Sequence, residues 1–508
     1  MDMKPADEFK SPRLTECGHP ESTYFVTWEG PADYGNPRNW SAARKWRNVI
    51  LVSLQALLPP MASVILTTAS MTIAKDFGVA QGDAYTPTLP TALFVLGFGF
   101  GPLYLAPLSE IYGRRIIFLV CFALFTILNA ACAVAPNMAS LSVFRFLCGM
   151  AGSAGPSIGG GTMGDMFEPG KRGKAQSVYT FGPTGGSAIG GVIGGFILNG
   201  TGNWRWLPGV MAIAGGVVSF LSFFFLQETF APVLLRQKAA RRRLSSGDQR
   251  YHSEFDFKSA AGRLTYHHIL STITRAVRML FTSSITAVMA IYLAVIYGIL
   301  YLHLVTLPLL FSPEPIYGLP SYRWPSELTG LSYLGTGVGS ILGSALGAIF
   351  LNRSYLAMTV RAARKGFDDI NPDPRRLEYR MPFMQIGAAL VPVGLLIFAF
   401  TAREDVPWIV PLIGATVFSV GMLMTYICVT TYLVDVFENF SASALAAITL
   451  TRSLLAFAFA FIGNGLYRSL GYQWGTLLLT FLCVVLSPLP AIFYFFGPKI
   501  RSMGSFQV

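Results

Sequence analysis

The sequence predicts an all-α integral membrane protein whose twelve transmembrane helices form two pseudo-symmetric bundles of six. Three observations predict this fold: an apolar composition, twelve apolar runs of membrane-spanning length, and a pair of motifs that recurs six spans apart. Of the 508 residues, 53% are hydrophobic and only 13% are charged, about half the charged fraction of soluble proteins. A helix needs about 20 apolar residues to cross a hydrocarbon core about 30 Å thick. Twelve such helices therefore account for much of the chain.

The apolar runs alternate with polar loops along the whole chain. They occur at 48–72, 87–109, 116–135, 139–166, 176–198, 207–226, 283–311, 328–351, 383–401, 408–434, 442–467 and 474–497. An even number of spans places both termini on one side of the membrane. The predicted organisation is a tail at 1–47, a six-helix bundle at 48–226, a central loop at 227–282, a second six-helix bundle at 283–497 and a tail at 498–508.

The net charge of +12 is explained by the distribution of basic residues over the loops. The tails and the loops on the side of the termini hold 31 of the 38 Lys and Arg residues, whereas the opposite loops hold five. Because positively charged loops stay in the cytoplasm, both termini are predicted to be cytoplasmic. The charge therefore needs no nucleic-acid partner. The expected surrounding is the lipid bilayer of the cell membrane, with a vacuolar or vesicular membrane as the alternative.

Two motifs recur in spans that lie six apart. The glycine triplets are Gly97, Gly99 and Gly101 in span two, and Gly335, Gly337 and Gly339 in span eight. Asp165 at the end of span four and Asp435 at the end of span ten each begin an Asp-x-Phe-Glu sequence. Parallel repeats of this kind relate two bundles by an axis along the membrane normal. Rocking one bundle against the other would expose a midplane site to each side in turn.

The loop after span two resembles the signature of the major facilitator superfamily. It reads Ala-Pro-Leu-Ser-Glu-Ile-Tyr-Gly-Arg-Arg over 106–115, which is similar to Pro-Leu-Ser-Glu-x-Tyr-Gly-Arg-Arg in the fungal twelve-span drug:proton antiporters (the DHA1-like family). Ala106, Glu110 and Ile111 depart from the general superfamily pattern. Further similar segments lie at 39–46, 203–206, 228–235, 297–301, 431–435 and 443–447. The resemblance covers roughly residues 36–502 and implies a transporter of that fold.

The charged residues near the ends of the spans are the candidate inner gate. A carboxylate and an arginine at span ends can pair across the cytoplasmic mouth and lock it while the outer side is open. The candidates are Glu110, Gly113, Arg114, Arg115 and Asp165, with Asp435 as the counterpart in the second half. The alternative is that these charges only cap helices and keep the spans from sliding.

Span five carries a glycine pattern that is similar to the antiporter motif Gly-x-x-x-Gly-Pro-x-x-Gly-Gly. The glycines are Gly186, Gly190, Gly191, Gly194 and Gly195. Glycines four residues apart form a smooth face for close helix packing. Gly191 stands where the motif has proline, so a fixed kink is missing.

Three ionisable residues within spans are candidates for proton coupling or for the cleft. A charge in hydrocarbon costs about 3 kcal/mol or more, so such residues are functional candidates. Arg145 matches the span-four arginine that the family associates with proton coupling; the alternative is an arginine that snorkels to the outer interface. Arg452 would line the cleft or pair with Asp435. His303, the single intramembrane histidine, can titrate near neutrality, or it is a packing group.

Proton coupling has few other candidates, because no Asp, Glu or Lys lies near the centre of a span. The remaining carboxylates for it are Asp165 and Glu110 at the cytoplasmic ends. The proton gradient would be the energy source. No cofactor and no metal site are expected, since the six cysteines show no close pairs at metal spacing.

Hydrogen-bonding and aromatic residues within the spans are the candidate substrate cleft. They are Gln55, Tyr297, Tyr301, Gln385 and Tyr426. A large cleft with few charges suits a bulky amphipathic or apolar molecule. Asn199 begins a glycosylation sequon in a short outer loop, close to the membrane.

We therefore expect a monomeric, proton-coupled efflux transporter of a drug-like compound or fungal secondary metabolite. It would serve toxin export, self-protection or multidrug resistance. The alternatives are a nutrient or polyamine transporter or uniporter, and a transporter-like sensor that signals through the central loop. A membrane enzyme is not expected, because no Ser/His/Asp set, metal cluster or phosphate loop occurs at usable spacing.

Overall fold

The computed structural model of the protein describes residues 24–30, 33–80, 82–167, 173–253, 266–364, 376–437 and 441–502. These residues form an almost wholly helical molecule. The helices are α1 (Ala42–Ile65), α2 (Ser70–Asp76), α3 (Leu89–Tyr112), α4 (Arg114–Ala133), α5 (Met138–Gly152), α6 (Ala154–Met166), α7 (Gly173–Thr201), α8 (Trp206–Phe225), α9 (Ala231–Ser246), α10 (Tyr266–Thr282), α11 (Ser284–Leu310), α12 (Ser326–Thr329), α13 (Leu334–Ala363), α14 (Met381–Thr401), α15 (Ile409–Val436), α16 (Ser441–Leu486) and α17 (Leu489–Ser502).

The apolar helices confirm the predicted membrane fold. In the described ranges, nine helical stretches are long and apolar enough to cross a membrane. The other predicted spans are the pair α5–α6, the glycine-rich α7, and the second half of the last stretch, which runs over two spans. α13 ends at Ala363 and so extends well beyond the apolar run 328–351 that predicted it, whereas α15 closely matches its run.

Span four is divided, in contrast to the uninterrupted run in the sequence. The break falls at Ser153, between α5 and α6. Pro156, three residues later, lacks the N–H group that would donate to the carbonyl of residue 152. Span four therefore consists of two helices that meet at Ser153.

Spans eleven and twelve are joined without the predicted six-residue loop. α16 contains 46 residues, and a straight helix of that length would measure about 69 Å, more than twice the hydrocarbon thickness. Gly471 interrupts it with φ 72° and ψ 171°, a conformation that favours glycine. One residue thus reverses the chain.

The glycine triplets occupy equivalent places in the two halves. The outer glycines of the first triplet pack against span four, and its middle member, Gly99, faces Ser453 of α16. The outer glycines of the second triplet pack against α15, and its middle member, Gly337, faces Ala188 of α7. In each half the triplet thus joins span n to span n + 2 and presents one glycine to the other half. This is the packing that a parallel repeat requires.

The segment before α1 packs on the central loop. A short strand, β1 (Phe25–Val26), pairs in parallel with β2 (His252–Ser253). Asp33 accepts a hydrogen bond from Lys238 of α9 at 2.9 Å. The backbone N–H of Glu29, the ammonium of Lys238 and the backbone N–H of Gly35 lower the pKa of Asp33 to about 2. We call this contact the tail clamp.

Candidate functional site

The two halves close on each other at one end of the bundle. The end of the bundle that carries the starts of α1, α4 and α7 is called the basic end. The two halves close at the other end, which carries the α2–α3 and α11–α13 connections and is called the opposite end. Tyr333 hydrogen-bonds to Thr67 of the first half, and its ring lies against Gly191 of α7. The Tyr317 hydroxyl donates to the carbonyl of Asp83 at 2.7 Å. These contacts seal the seam at the opposite end.

The glycines of α13 face different partners along the length of the helix. α13 contacts α7 at Gly337, in the part of α13 nearer to the opposite end. Farther along, Gly343 lies against Leu423 and Gly347 against Ile427, both of α15. Toward the basic end, these two glycines of α13 therefore pack on α13's own half.

α10 bridges the other seam at the basic end. Ala276 of α10 forms one apolar cluster with Leu103 of α3 and with Ala447 and Leu450 of α16. Arg275 donates from Nε to the hydroxyl of Ser443 at 2.9 Å. Part of the predicted central loop is thus a helix that contacts both halves.

Arg145 lies wholly inside the first half. Its side chain has no exposed surface, so the snorkelling alternative is not what the structure shows. Nη2 donates to the carbonyl of Ala62 at 2.5 Å. That carbonyl belongs to the last turn of α1, where backbone oxygens lose their helical partners. The guanidinium also lies 4.3 Å from the centre of the Phe94 ring, while Nε and Nη1 find no hydrogen-bond partner among the described residues.

Arg452 lies in the second half and faces aromatic rings. Its guanidinium carbon lies 4.5 Å from the ring centre of Tyr297 and 5.2 Å from that of Tyr426. The residue is 7% exposed, and the two tyrosines are half-buried. Its pairing with Asp435, one of the two alternatives above, does not occur. Asp435 accepts instead from Nε of Arg380 at 2.9 Å.

Tyr301 connects the surroundings of Arg452 to the first half. Its ring lies 5.4 Å from that of Tyr297, and its hydroxyl lies 3.5 Å from that of Ser63 in α1. The structure thus brings together three of the predicted cleft residues, Tyr297, Tyr301 and Tyr426, with Arg452. We call these four residues the tyrosine–arginine cluster.

The other predicted cleft residues and His303 lie in helix contacts. Gln55 donates to Ser222 of α8 at 2.8 Å. Gln385 donates to the carbonyl of residue 487 and accepts from the N–H of residue 491, both at 3.1 Å. His303 is buried between Phe398 and Phe418, with ring centres at 4.3 and 5.7 Å. Within the described part of the chain, neither of its ring nitrogens has a hydrogen-bond partner.

The span-five glycines serve two different contacts. Gly186, Gly190 and Gly194 lie against backbone carbonyls of α1, as glycines four residues apart should. Gly191 and Gly195 face the second half, against Tyr333 and the backbone of Gly330. The sequence predicted the packing but not that these two glycines belong to the seam. Asn199 is exposed in the last turn of the same helix.

The charged loop of the first half forms a network at the basic end. Arg114 Nε lies 3.5 Å from Asp165 Oδ2, and Thr229 donates to the same oxygen at 3.3 Å. The carboxylate of Glu228 accepts from the backbone N–H groups of Arg114 and Arg115, each at 3.0 Å. A carboxylate at a helix N-terminus is electrostatically favoured. Glu228 thus caps α4.

Gly113 and Glu110 have different places at this turn. Gly113 has φ +98°, a conformation that only glycine adopts readily, and a side chain there would collide with the Glu228 carboxylate. Glu110 is exposed at the end of α3. The sequence did not identify Glu228 as a residue of the charged network. Glu228 does lie in the segment 228–235, which resembles the fungal antiporters.

The second half has a related network at its basic end. Arg380 and Asp435 form the ion pair described above, and Tyr432 donates to Oε1 of the buried Glu378 at 3.2 Å. Asp165 and Asp435 thus have the same kind of partner in the two halves, an arginine from another element of their own half. Arg380 and Glu378 lie in the long polar stretch between the predicted spans 328–351 and 383–401, so only the tertiary structure showed their partners.

The chain belongs to the Major Facilitator Superfamily, whose family model matches residues 51–460. It is 37% identical to the MFS-type transporter penM of Penicillium rubens over 95% of this chain and 91% of that protein. It is 35% identical to the efflux pump radE of Floropilus chiversii over 95% of this chain and 86% of that protein. The predicted family and the multi-pass membrane transporter class are therefore confirmed.

Solved structures show the same fold. The proton:xylose symporter XylE bound to 6-bromo-6-deoxy-D-glucose superposes with a TM-score of 0.60 at 14% identity, over 92% of this chain and 100% of that chain. At this identity the similarity concerns the fold alone. It agrees with the twelve-helix arrangement in two related bundles.

Proposed function

We propose that the protein exports an amphipathic organic molecule, a drug-like compound or fungal secondary metabolite, in exchange for protons. The basic end would face the cytoplasm, with both termini there, and the protein would act in the cell membrane. Substrate would bind in the cleft from the cytoplasm and leave on the other side after the halves rock. The protein would work as a monomer, because the repeat supplies both halves of the cleft.

The observation that carries this proposal is the asymmetry of the seam. Tyr333, Gly191 and Thr67 close it at the opposite end, while α13 packs on its own half toward the basic end. If the basic end is cytoplasmic, this conformation accepts substrate from inside the cell, as an exporter must before each cycle. The relative named as an efflux pump supports the same direction.

The paired carboxylates at the basic end support proton coupling. Asp165 and Asp435 each pair with an arginine, and both are less than one third exposed. A carboxylate that loses its arginine partner at another stage of the transport cycle binds a proton more readily. Arg145, which keeps its proton as arginines do in proteins, would then act by its charge and by its contact with α1.

The direction of transport is tested with inside-out vesicles whose interior is acidic. We expect 1-pyrenebutyrate or its neutral match 1-pyrenebutanol to accumulate in the lumen, and an uncoupler to abolish accumulation. A weak acid distributes passively toward the alkaline side, so accumulation of the butyrate in an acidic lumen requires the protein. Uptake that persists unchanged with the uncoupler would contradict antiport. Vesicles without the protein are the control.

The orientation is tested separately, by epitope tags at the two termini of the full chain. We expect both tags to be protected in intact cells and accessible after permeabilisation of the cell membrane. A tag that antibody reaches in intact cells would overturn the assignment of the basic end to the cytoplasm.

A further inference from the structure

We propose, on the basis of the export function above, that the substrate carries an acidic group and that the tyrosine–arginine cluster binds it. The ligand class is an organic anion, with a carboxylate or another delocalised oxyanion on a flat apolar skeleton. Arg452 would bind the oxyanion, and the rings of Tyr297 and Tyr426 would contact the skeleton.

The charge of Arg452 has no counter-charge in the structure. Among the described residues, no Asp or Glu oxygen lies within ion-pair distance of its guanidinium, and Nε has no hydrogen-bond partner. Asp435, at the end of the neighbouring α15, is held by Arg380. Arginine stays protonated in proteins, so this charge is not removed by deprotonation. A bound anion would supply both the missing charge and the missing acceptor.

The aromatic rings compensate this charge only in part. A cation over a tyrosine ring is attracted to the ring face, and Tyr426 also hydrogen-bonds to the guanidinium, but Nε has no acceptor among the described residues. The fork of N–H donors on an arginine matches a planar carboxylate in geometry. The tyrosines themselves are half-buried, so part of each ring remains accessible to an apolar ligand.

The position of the cluster connects an anion to both halves. Ser453, next to Arg452 in the chain, packs on Gly99 of α3, and Tyr301 approaches Ser63 of α1 at 3.5 Å between hydroxyl oxygens. A ligand on Arg452 therefore lies at the seam, where rocking of the halves changes its surroundings. Arg145 differs, since it is fully buried and bound to a carbonyl of its own half.

The same charge argues against a cationic substrate. Arg452 places a positive charge at the seam, and a polyamine would meet repulsion there in a medium of low dielectric constant. The polyamine alternative from the sequence is therefore electrostatically disfavoured.

Binding of three matched probes to the purified full-length protein tests the proposal, without any proton gradient. The probes are 1-pyrenebutyrate, 1-pyrenebutanol and 1-pyrenebutylamine, titrated by fluorescence anisotropy. We expect the acid to bind about tenfold more tightly than the alcohol, as a charge-assisted contact requires, and the amine to bind most weakly. Arg452→Gln should remove the preference for the acid and leave binding of the alcohol within about twofold. Arg361→Gln, at an exposed arginine, is the matched control.

The affinities of the wild-type protein for the three probes test the anion subsite even if the Arg452→Gln variant does not fold. Equal affinities of acid and alcohol, a preference for the amine, or no binding of any probe would overturn the anion subsite. Undiminished preference for the acid in Arg452→Gln would overturn the role of Arg452. Preferential binding of the acid without export in vesicles would instead contradict the proposed function and leave the subsite standing.

Discussion

Arg145 and Arg452 are the two arginines within the spans, and their surroundings differ in kind. Arg145 has no exposed surface, donates to the end of α1 and lies over a phenylalanine. Arg452 lies between two half-buried tyrosines and keeps 7% of its surface exposed. The first is built into its own half, and the second lies at the seam. This difference is the basis of the two roles that we propose: Arg145 holds a helix end in its own half, and Arg452 offers a charge to a ligand.

Loss of Arg145 should have the largest effect on transport. Arg145→Ala removes a buried charge-assisted hydrogen bond worth about 1.5–3 kcal/mol and the contact between span four and the end of α1. We expect export in acid-loaded vesicles to fall about a hundredfold or more, with the protein still present in the membrane. Arg361→Ala should transport normally. Normal export by Arg145→Ala would remove this arginine from the mechanism.

The ring of Tyr426 sharpens the comparison, because it contacts only Arg452 of the two arginines. Tyr426→Leu removes a cation–π contact worth about 0.5–2 kcal/mol. We expect 1-pyrenebutyrate to bind about threefold to tenfold more weakly, while Tyr426→Phe, which keeps the ring, loses less. Phe94→Leu, which alters the surroundings of Arg145, should leave this binding unchanged. Equal losses in Tyr426→Leu and Phe94→Leu would break the distinction between the two sites.

The ion pairs at the basic end extend the comparison of the halves. Asp165→Asn leaves Arg114, with a side chain 12% exposed, without its carboxylate. Asp435→Asn does the same to Arg380, which is 14% exposed, but Asp435 itself is more exposed than Asp165, 29% against 20%. We expect both variants to lower the unfolding temperature of the purified protein, Asp165→Asn by more, because a less exposed pair is less screened. A larger loss in Asp435→Asn would contradict this order.

Changes in the tail clamp should have the smallest effect on transport. The clamp lies outside the transmembrane spans, and Lys238 pairs with Glu29 as well as with Asp33. Because the pKa of Asp33 is lowered to about 2, its stabilising contribution is present above the ordinary value of 3.8 and is lost as the pH falls through about 2. Asp33→Asn mimics that loss at neutral pH. We expect faster hydrogen exchange at residues 24–30 and unchanged export. Glu29→Gln, at a more exposed partner of Lys238, should exchange less; the reverse order would contradict the central place of Asp33.

The sequence predicted a good part of the site as well as the fold. Arg145, Arg452 and the tyrosines were identified because polar residues are rare within spans, and rarity is visible in a sequence. Glu228 and Arg380 were not identified as partners of the charged loops, because they lie in long polar stretches where charged residues are common. Gln55 and Gln385 were assigned to the cleft, but the structure places their amides in helix contacts. A polar residue in a span has to satisfy its hydrogen bonds, and the sequence does not show on which side of the helix.

Composition, the spacing of apolar runs and the recurring motifs by themselves determined the membrane class, the number of spans and the repeat. They did so because a bilayer imposes length and polarity on each helix separately. Only the tertiary structure decided where the seam is closed, that Gly191 and Gly195 belong to it, and that Arg452 lies beside tyrosines whereas Arg145 lies beside a helix end. Those facts depend on which faces of distant helices meet, and packing between helices is a property of pairs that no single span encodes.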